Sequence, residues 1–388
     1  MHPRILVSAG EASGDLYAAL VVRELRRLWP DADFFGCTGP HLRAAGVRTV
    51  VDSASLSVVG LLEVIADIPR IYGQYCRLVR AAEEQRPHLA ILTDSPDFHL
   101  RVARRLHRCR IPVVYLVAPQ VWAWRRGRLP ALRRLARLLC IFPFEEEFFK
   151  REGVDATYIG HPLAQLVKPS MAREAFFRKH RLVEGRPLVS VLPGSRRGEA
   201  ARHLPALLNA VQRLNGECAG GPLNFVLPAS STTGAGFFAE RIGSAPVHVI
   251  EGEAWDAMAH ADLVLAASGT VTIEAALLGT PMVTFYRVTW PSWVAGKLLV
   301  RVPFYSMVNL VAGRAVVPEL MQERMTGRNL AAEARRLLED ERACSEMRAG
   351  LAEVRYRLAA PPGPEGDTPR RAAIIIQDIL EGQVAHVS

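Results

Sequence analysis

Short, continuous apolar runs recur along the chain, each closed by a turn of Gly, Ser or Pro and followed by apolar residues at helical spacing. Runs too short for helices and apolar on both faces read as parallel strands covered on both sides. In the first half, strands are predicted at Arg4–Ser8, Leu89–Thr93, Val113–Val117 and Leu138–Ile141. A helix is predicted over Asp15–Trp29, with Leu16, Leu20, Val21 and Leu25 on one stripe, and an arginine-rich helix over Phe98–Arg108. Gly160-His161-Pro162 and the polar stretch around Lys168-Pro169-Ser170 mark a linker. Beyond it, strands are predicted at 188–192, 223–227, 247–250, 263–266 and 282–285, with helices between them. Helical sequence follows from Leu330 to about Ala359, then a Pro/Gly break at 361–364 and a last helix over Pro369–Glu381. Two β/α/β halves joined by one linker predict an α/β protein of two Rossmann-like domains facing across a cleft. The expected boundaries are 1–165, 166–345 and a C-terminal helical segment at 346–388. Whether that segment packs back on the first domain stays open at this point.

The 388 residues suffice for two full cores, and 49% hydrophobic and 22% charged content is ordinary for a globular chain. The formal charge of +9 is not, and much of it is local: eleven arginines and no acidic residue fall between Asp97 and Glu145. Nucleic acid, an anionic membrane and phosphorylated substrates all fit such a charge. Nucleic acid is disfavoured because no zinc-finger, RNP or comparable motif accompanies it. The six cysteines show no CxxC pair and no metal-ligand spacing, so reduced, mostly buried thiols are expected. The N-terminus enters a strand almost at once, without a signal-peptide pattern, and Glu274, Gly279 and Pro281 interrupt the most apolar stretch. Any membrane contact is therefore expected to be peripheral.

Two turns carry the clearest chemistry. Leu263–Ala266 reads as a buried strand, Ser268-Gly269-Thr270 follows, and a helix runs over Val271–Leu278 to the Gly279-Thr280-Pro281 stop. Free N–H groups and the positive helix end would receive a phosphate there, and Glu274, one turn on, would reach a ribose hydroxyl pair. Ser-Gly-Thr can also simply cap the helix. Leu188–Leu192 leads likewise into Gly194-Ser195-Arg196, where Arg196 can contact phosphate oxygens bidentately. Both turns lie at carboxyl ends of predicted strands, where ligands of open α/β sheets bind.

Other loops are less specific. Ala9-Gly10-Glu11-Ala12-Ser13-Gly14-Asp15 resembles a phosphate loop without a Walker lysine or a third fingerprint glycine, and reads equally as a tight turn with Ser13 or Asp15 as a cap. Thr93-Asp94-Ser95-Pro96-Asp97-Phe98 offers two carboxylates three apart, so it can hold a general base, or Asp97 can be an N-cap. In Pro119-Gln120-Val121-Trp122-Ala123-Trp124-Arg125, packing and binding both account for the tryptophans. Asp31-Ala32-Asp33 is read as a surface turn, and no metal site is expected. Trp290, Trp293, Val294, Lys297, Leu298 and Arg301 fall at helical spacing, suiting either an interfacial helix or a core stripe.

In chain order, SAGEASGD (8–15), TDSPDF (93–98), PQVWAWR (119–125), IGHP (159–162), LPGSR (192–196), ASGTVTIE (267–274) and NLVAGR (309–314) together resemble bacterial lipid-A-disaccharide synthase across nearly the whole chain. The resemblance implies a GT-B-type, inverting glycosyltransferase that needs neither cofactor nor metal. Its substrates would be UDP-2,3-diacylglucosamine and 2,3-diacylglucosamine 1-phosphate, and its products the β(1→6) lipid A disaccharide 1-phosphate and UDP. It implies an acceptor-binding first domain and a UDP-sugar-binding second one. Asp97 would be the catalytic base; Gly194, Ser195, Arg196, Ser268, Gly269, Thr270, Glu274 and Asn309 would bind the donor; Glu11, Ser13, Gln120 and Trp122 would line the acceptor side. Trp290, Trp293, Lys297, Leu298 and Arg301 would contact the anionic inner face of the cytoplasmic membrane of a Gram-negative cell, with the enzyme cytoplasmic and peripherally attached. No nucleic acid partner is implied, and a homodimer is left open. Ala118, Gln165 and Cys37-Thr38 depart from the family's common serine, acid and more glycine-like pattern without removing a proposed catalytic group. Competing expectations are a UDP-GlcNAc 2-epimerase-like enzyme on the same scaffold and a non-catalytic nucleotide-sugar or lipid-binding protein.

Overall fold

The computed structural model describes residues 2–56, 63–300, 302–363 and 366–385. The chain forms two compact units, one of Met1–Pro162 with Leu358–Ser388 and one of Leu163–Arg357. The divisions thus fall at 162/163 and 357/358, where 165/166 and 345/346 were expected. The predicted helix over 330–359 is two helices, Gly327–Glu339 and Glu341–Leu358, parted at Asp340, whose carboxylate accepts from Ala343 N.

In the first unit, β1 (Arg4–Ala9), β2 (Asp33–Thr38), β3 (Arg48–Asp52), β4 (Leu89–Thr93), β5 (Val113–Leu116), β6 (Arg137–Cys140) and β7 (Ala156–Tyr158) form a parallel sheet in the order β3-β2-β1-β4-β5-β6-β7. Helix α1 (Ala12–Leu28) follows β1, and α2 (Pro96–Arg108) follows β4. Every residue of β4 and β5 is buried, which is why the central strands read as unbroken apolar runs. One core face gathers Leu6, Phe35, Ala90, Leu92, Val102, Leu106, Tyr115 and Leu138. Strands β3 and β7 escaped the sequence pattern because both are short edge strands, the former mostly solvent-facing. The C-terminal helix Thr368–Ala385 returns to this unit and packs on α1, burying Ala372, Ala373, Ile376 and Leu380. Its way in is the IGHP turn: Leu358 O accepts from His161 N, and the chain at Ala360 passes so close to Gly160 that a Cβ there would stand 2.6 Å from the Ala360 Cα.

In the second unit, β8 (Leu188–Leu192), β9 (Asn224–Ala229), β10 (His248–Glu251), β11 (Leu263–Ala267), β12 (Met282–Tyr286) and β13 (Glu319–Met321) form a parallel sheet in the order β10-β9-β8-β11-β12-β13. Helices α3 (Arg197–Glu217), α4 (Thr270–Leu278) and α5 (Trp290–Leu299) follow β8, β11 and β12. In each sheet the strand order reverses once, between β1 and β4 and between β8 and β11. The loops leaving those four strands therefore open beside one another, two by two. Among the described residues, no helix is long and apolar enough to cross a membrane.

Candidate active site

At the β1/β4 switch point the two loops are locked together by Asp94. Its carboxylate accepts from Gly10 N at 2.8 Å and Glu11 N at 3.1 Å. The glycines of SAGEASGD exist for this approach: a Cβ on Gly14 would fall 1.7 Å from Asp94 Oδ2, and one on Gly10 2.3 Å from Ser95 Oγ. Asp15, which the sequence offered as a cap for its own helix, instead caps the short helix Pro40–Ala44, accepting from Gly39 N and His41 N at 2.7 Å each. The loop is thus built to receive protein groups, while Glu11 and Ser13 remain exposed. Burial pushes the Asp94 carboxyl up to about 7 against the pull of the two amides.

Behind Asp94, its carbonyl oxygen accepts from the Tyr115 hydroxyl and from His99 Nδ1 at 2.9 Å. The other ring nitrogen of His99, Nε2, lies 2.7 Å from Ser8 Oγ and accepts its proton, since Nδ1 carries the ring hydrogen. Complete burial pushes His99 down to about 4, so the ring is neutral and its 3.9 Å approach to the Asp94 carboxylate is no ion pair. Asp94, Ser95, Val117 and Arg125 all adopt left-handed backbone conformations on this sheet edge. Each costs about 1–3 kcal/mol and persists only where the surroundings impose it.

Asp97 lies in the first turn of α2, so it is not the N-cap; Ser95 is. Its side chain is 71% exposed and bridges two arginines: Arg125 Nη1 donates to Oδ2 and Arg128 Nη2 to Oδ1, each at 2.7 Å. Partial burial raises the carboxyl, but the hydrogen bonds and charge of Arg128 and then Arg125 outweigh it and hold Asp97 below the usual carboxylate range. The tryptophans of PQVWAWR divide their work. Trp122 packs against the core, meets Phe144 edge-on at 5.0 Å and donates to Glu145 at 3.0 Å. Trp124 lies under Arg125 at 4.2 Å and Arg128 at 5.7 Å. Gln120 is exposed beside them. Glu145 is fully buried and pushed up to about 7 by desolvation. Nothing in the spacing pointed to Arg128, His99 or Glu145; their roles come from a helical turn, a buried ring and a cross-loop bond.

At the β8/β11 switch point the sequence-predicted donor loops stand side by side, with Leu192 paired to Ala266. Gly269 precedes α4 without a side-chain cap, and a Cβ on it would meet only open space. The first N–H groups of α4 have no partner within the helix, and Gly269 and Thr270 are exposed. Ser268 is committed differently, its N–H to Phe285 O at 2.8 Å and its hydroxyl to Tyr305 O at 3.1 Å. In the neighbouring loop Ser195 and Arg196 are exposed, and Ser195 O is held by Thr233 Oγ1 at 2.9 Å. Arg196 precedes α3, and Gly194 supplies the left-handed turn before it. His203 on α3 braces this loop by donating Nδ1–H to Pro193 O at 2.7 Å. Glu274 is half-buried; desolvation raises its carboxyl, and a hydrogen bond with the Trp255 side chain opposes that.

Asn309 does not join this set as an outward-facing amide. Its Oδ1 accepts from Val316 N and Val317 N, and its Nδ2 donates to Val317 O and Glu319 Oε1. With every polar position taken and 1% exposure, it braces the 316–319 segment. On α5, Trp290 is 72% exposed, Trp293 meets Tyr305 at a 40° tilt with the ring centres 5.7 Å apart, and Lys297 lies 5.2 Å over the Trp293 ring. Arg301 lies outside the described residues, as does the side chain of Leu298.

Two parallel α/β units, each gathering its loops at a topological switch point, define the fold of a GT-B-type glycosyltransferase, and solved structures agree. The calicheamicin glycosyltransferase CalG4 superposes with a TM-score of 0.60 at 16% identity over 98% of each chain. A UDP-GlcNAc 2-epimerase from Neisseria meningitidis, solved with UDP-GlcNAc, gives 0.62 at 15% identity over 97% of this chain and 100% of its own. A family model described as lipid-A-disaccharide synthetase matches residues 5–358. A lipid-A-disaccharide synthase of Solibacter usitatus (strain Ellin6076) is 72% identical over 100% of both chains. The chain belongs to the lipid-A-disaccharide synthase family and is a glycosyltransferase. The epimerase alternative is not favoured, since at 15% identity that likeness extends to the fold alone.

Proposed function

We propose that the protein transfers 2,3-diacylglucosamine from its UDP conjugate to the 6-hydroxyl of 2,3-diacylglucosamine 1-phosphate, with inversion and without a metal. The observation that supports this division of labour is that each sheet carries a different set at its own switch point: an exposed carboxylate, Asp97, in the first unit, and uncapped helix ends with Arg196 in the second. In the transfer, the acceptor oxygen attacks the anomeric carbon as its proton passes to Asp97. The anomeric C–O bond breaks, and its electron pair leaves with UDP. A positioned base is worth roughly 10²–10⁴-fold. Arg196 and the amides of Gly269 and Thr270 meet the charge growing on the diphosphate, doing without protein motion what solvent would have to reorganise to do. Glu274 takes the ribose hydroxyls, and Glu11, Ser13, Gln120 and Trp122 line the acceptor side. The exposed Trp290 and Lys297 on α5 dock the enzyme on the anionic inner face of the cytoplasmic membrane.

The test is mass spectrometry of the products from the two lipid substrates in detergent with EDTA, for the wild type and Asp97→Asn. Disaccharide 1-phosphate from the wild type, with turnover lowered at least about 10²-fold in the variant and UDP binding retained, is expected. No disaccharide from folded wild type overturns the assignment.

A further inference from the structure

The carboxylate proposed as the base is tied up. Asp97 gives one oxygen to each of two guanidinium groups, and among the described residues it is the carboxylate that pairs with either of them. Arg126, between the two in sequence, turns instead to Glu152. The pair has a second partner besides Asp97 in the Trp124 ring, whose centroid lies 4.2 Å from the Arg125 guanidinium and 5.7 Å from that of Arg128. Two guanidinium groups against one carboxylate leave one positive charge in surplus at a solvent-facing position. Two convergent guanidinium forks, each meeting one oxygen of a shared anion, are also the arrangement that holds a phosphate monoester.

We propose that Arg125 and Arg128 form the binding site for the phosphate of the sugar acceptor, and that Asp97 occupies it until that phosphate arrives. This rests on the transferase function proposed above. A dianionic phosphate offers the arginines more charge and more acceptor oxygens than one carboxylate, so it displaces Asp97. Arg125, 46% exposed, has the freedom to follow the incoming group, while Arg128, 13% exposed, is the fixed half of the clamp. Once released, Asp97 loses the two cations that keep it deprotonated and becomes able to take the hydroxyl proton as the acceptor oxygen bonds to the anomeric carbon and UDP departs. An acceptor without its phosphate leaves the base paired. Specificity for a phosphorylated sugar and activation of the base are then one event.

The experiment compares kcat/KM for 2,3-diacylglucosamine 1-phosphate and for the same sugar lacking the phosphate. Wild type, Arg125→Ala, Arg128→Ala and Arg128→Lys are assayed with one UDP donor in the same micelles. The wild type is expected to prefer the phosphorylated acceptor by roughly 10–100-fold, the worth of hydrogen bonds between charged partners at a part-exposed position. Each alanine variant loses roughly 10–100-fold on that acceptor. On the phosphate-free acceptor the loss is smaller by roughly ten-fold or more, so the preference for the phosphorylated sugar collapses in each alanine variant. Arg128→Lys, which keeps the charge and loses the fork, falls between. If a variant's rates fall by the same factor on both acceptors, the arginines only brace the loops, and the inference fails while the transferase function stands. If wild type makes disaccharide from neither acceptor, the transferase function fails and the inference with it.

Discussion

Asp94, Asp97 and Glu145 surround the same loop region, yet water reaches them unequally and their proton affinities separate accordingly. Asp97, open to solvent and paired with two cations, stays ionised; Asp94 and Glu145, buried with neutral donors, hold their protons up to about 7. The buried pair makes stability depend on pH in a definite direction. For Glu145 the folded value lies above the ordinary 4.5, so its contribution is fully present below that value and is lost as pH rises through about 7. The loss amounts to about 3 kcal/mol between those limits. Glu145→Gln keeps an acceptor for the Trp122 indole and cannot ionise. Its stability relative to wild type should therefore improve by up to about 3 kcal/mol from pH 5 to pH 8. Urea unfolding at the two pH values reads this directly, because Asp94, His99 and His161 contribute alike to both proteins. Parallel pH profiles would mean that Glu145 is ionised at both pH values, and the buried-acid account of Trp122 would be lost.

The loops on the sheet edges show which parts of a site a sequence discloses. Ser268-Gly269-Thr270 and Gly194-Ser195-Arg196 were legible because strand, glycine turn and helix follow one another within a few residues. Asp97 stood out as a carboxylate after a strand, but its partners Arg125 and Arg128 lie about thirty positions away on another loop, where no spacing rule connects them. The same limit applied to Asn309, whose motif was visible while the four bonds that consume its amide were not. Glycines with similar local sequence turn out to have opposite duties. Gly14→Ala would drive a Cβ onto Asp94 Oδ2 and should destabilise the first unit by roughly 2–4 kcal/mol, lowering the melting temperature whatever ligand is present. Gly269→Ala meets open space and should cost less than about 1 kcal/mol, yet raise KM for the UDP donor if the diphosphate lies against that backbone. Thermal unfolding and donor KM, measured on both variants, separate the two duties; an unchanged donor KM in Gly269→Ala would remove the diphosphate from the α4 entrance.

At the scale of the whole molecule, the two α/β halves were legible from alternation alone, whereas the return of the last helix to the first unit was not. Its anchors, the IGHP turn and the α1 surface, lie far off in sequence, and an amphipathic helix does not announce which stripe it will cover. The distribution of charge has a second whole-molecule consequence. With a formal charge of +9, the chain is attracted to any anionic surface, but such attraction alone is diffuse and fades within a Debye length. In the membrane docking proposed above, firm attachment needs apolar insertion as well, and on α5 the exposed Trp290, with Lys297 two turns further along, is the candidate for it. Co-sedimentation with phosphatidylglycerol-containing vesicles should therefore weaken with salt in the wild type and fall by roughly ten-fold in Trp290→Ala, with a smaller fall in Lys297→Ala of about 1 kcal/mol. Turnover on micellar substrates should be retained in both, because neither residue is among the proposed base and donor-binding groups. Vesicle binding that survives Trp290→Ala but vanishes at high salt would leave the arginine-rich surface as the whole of the attachment, and α5 would revert to a surface helix with an exposed tryptophan.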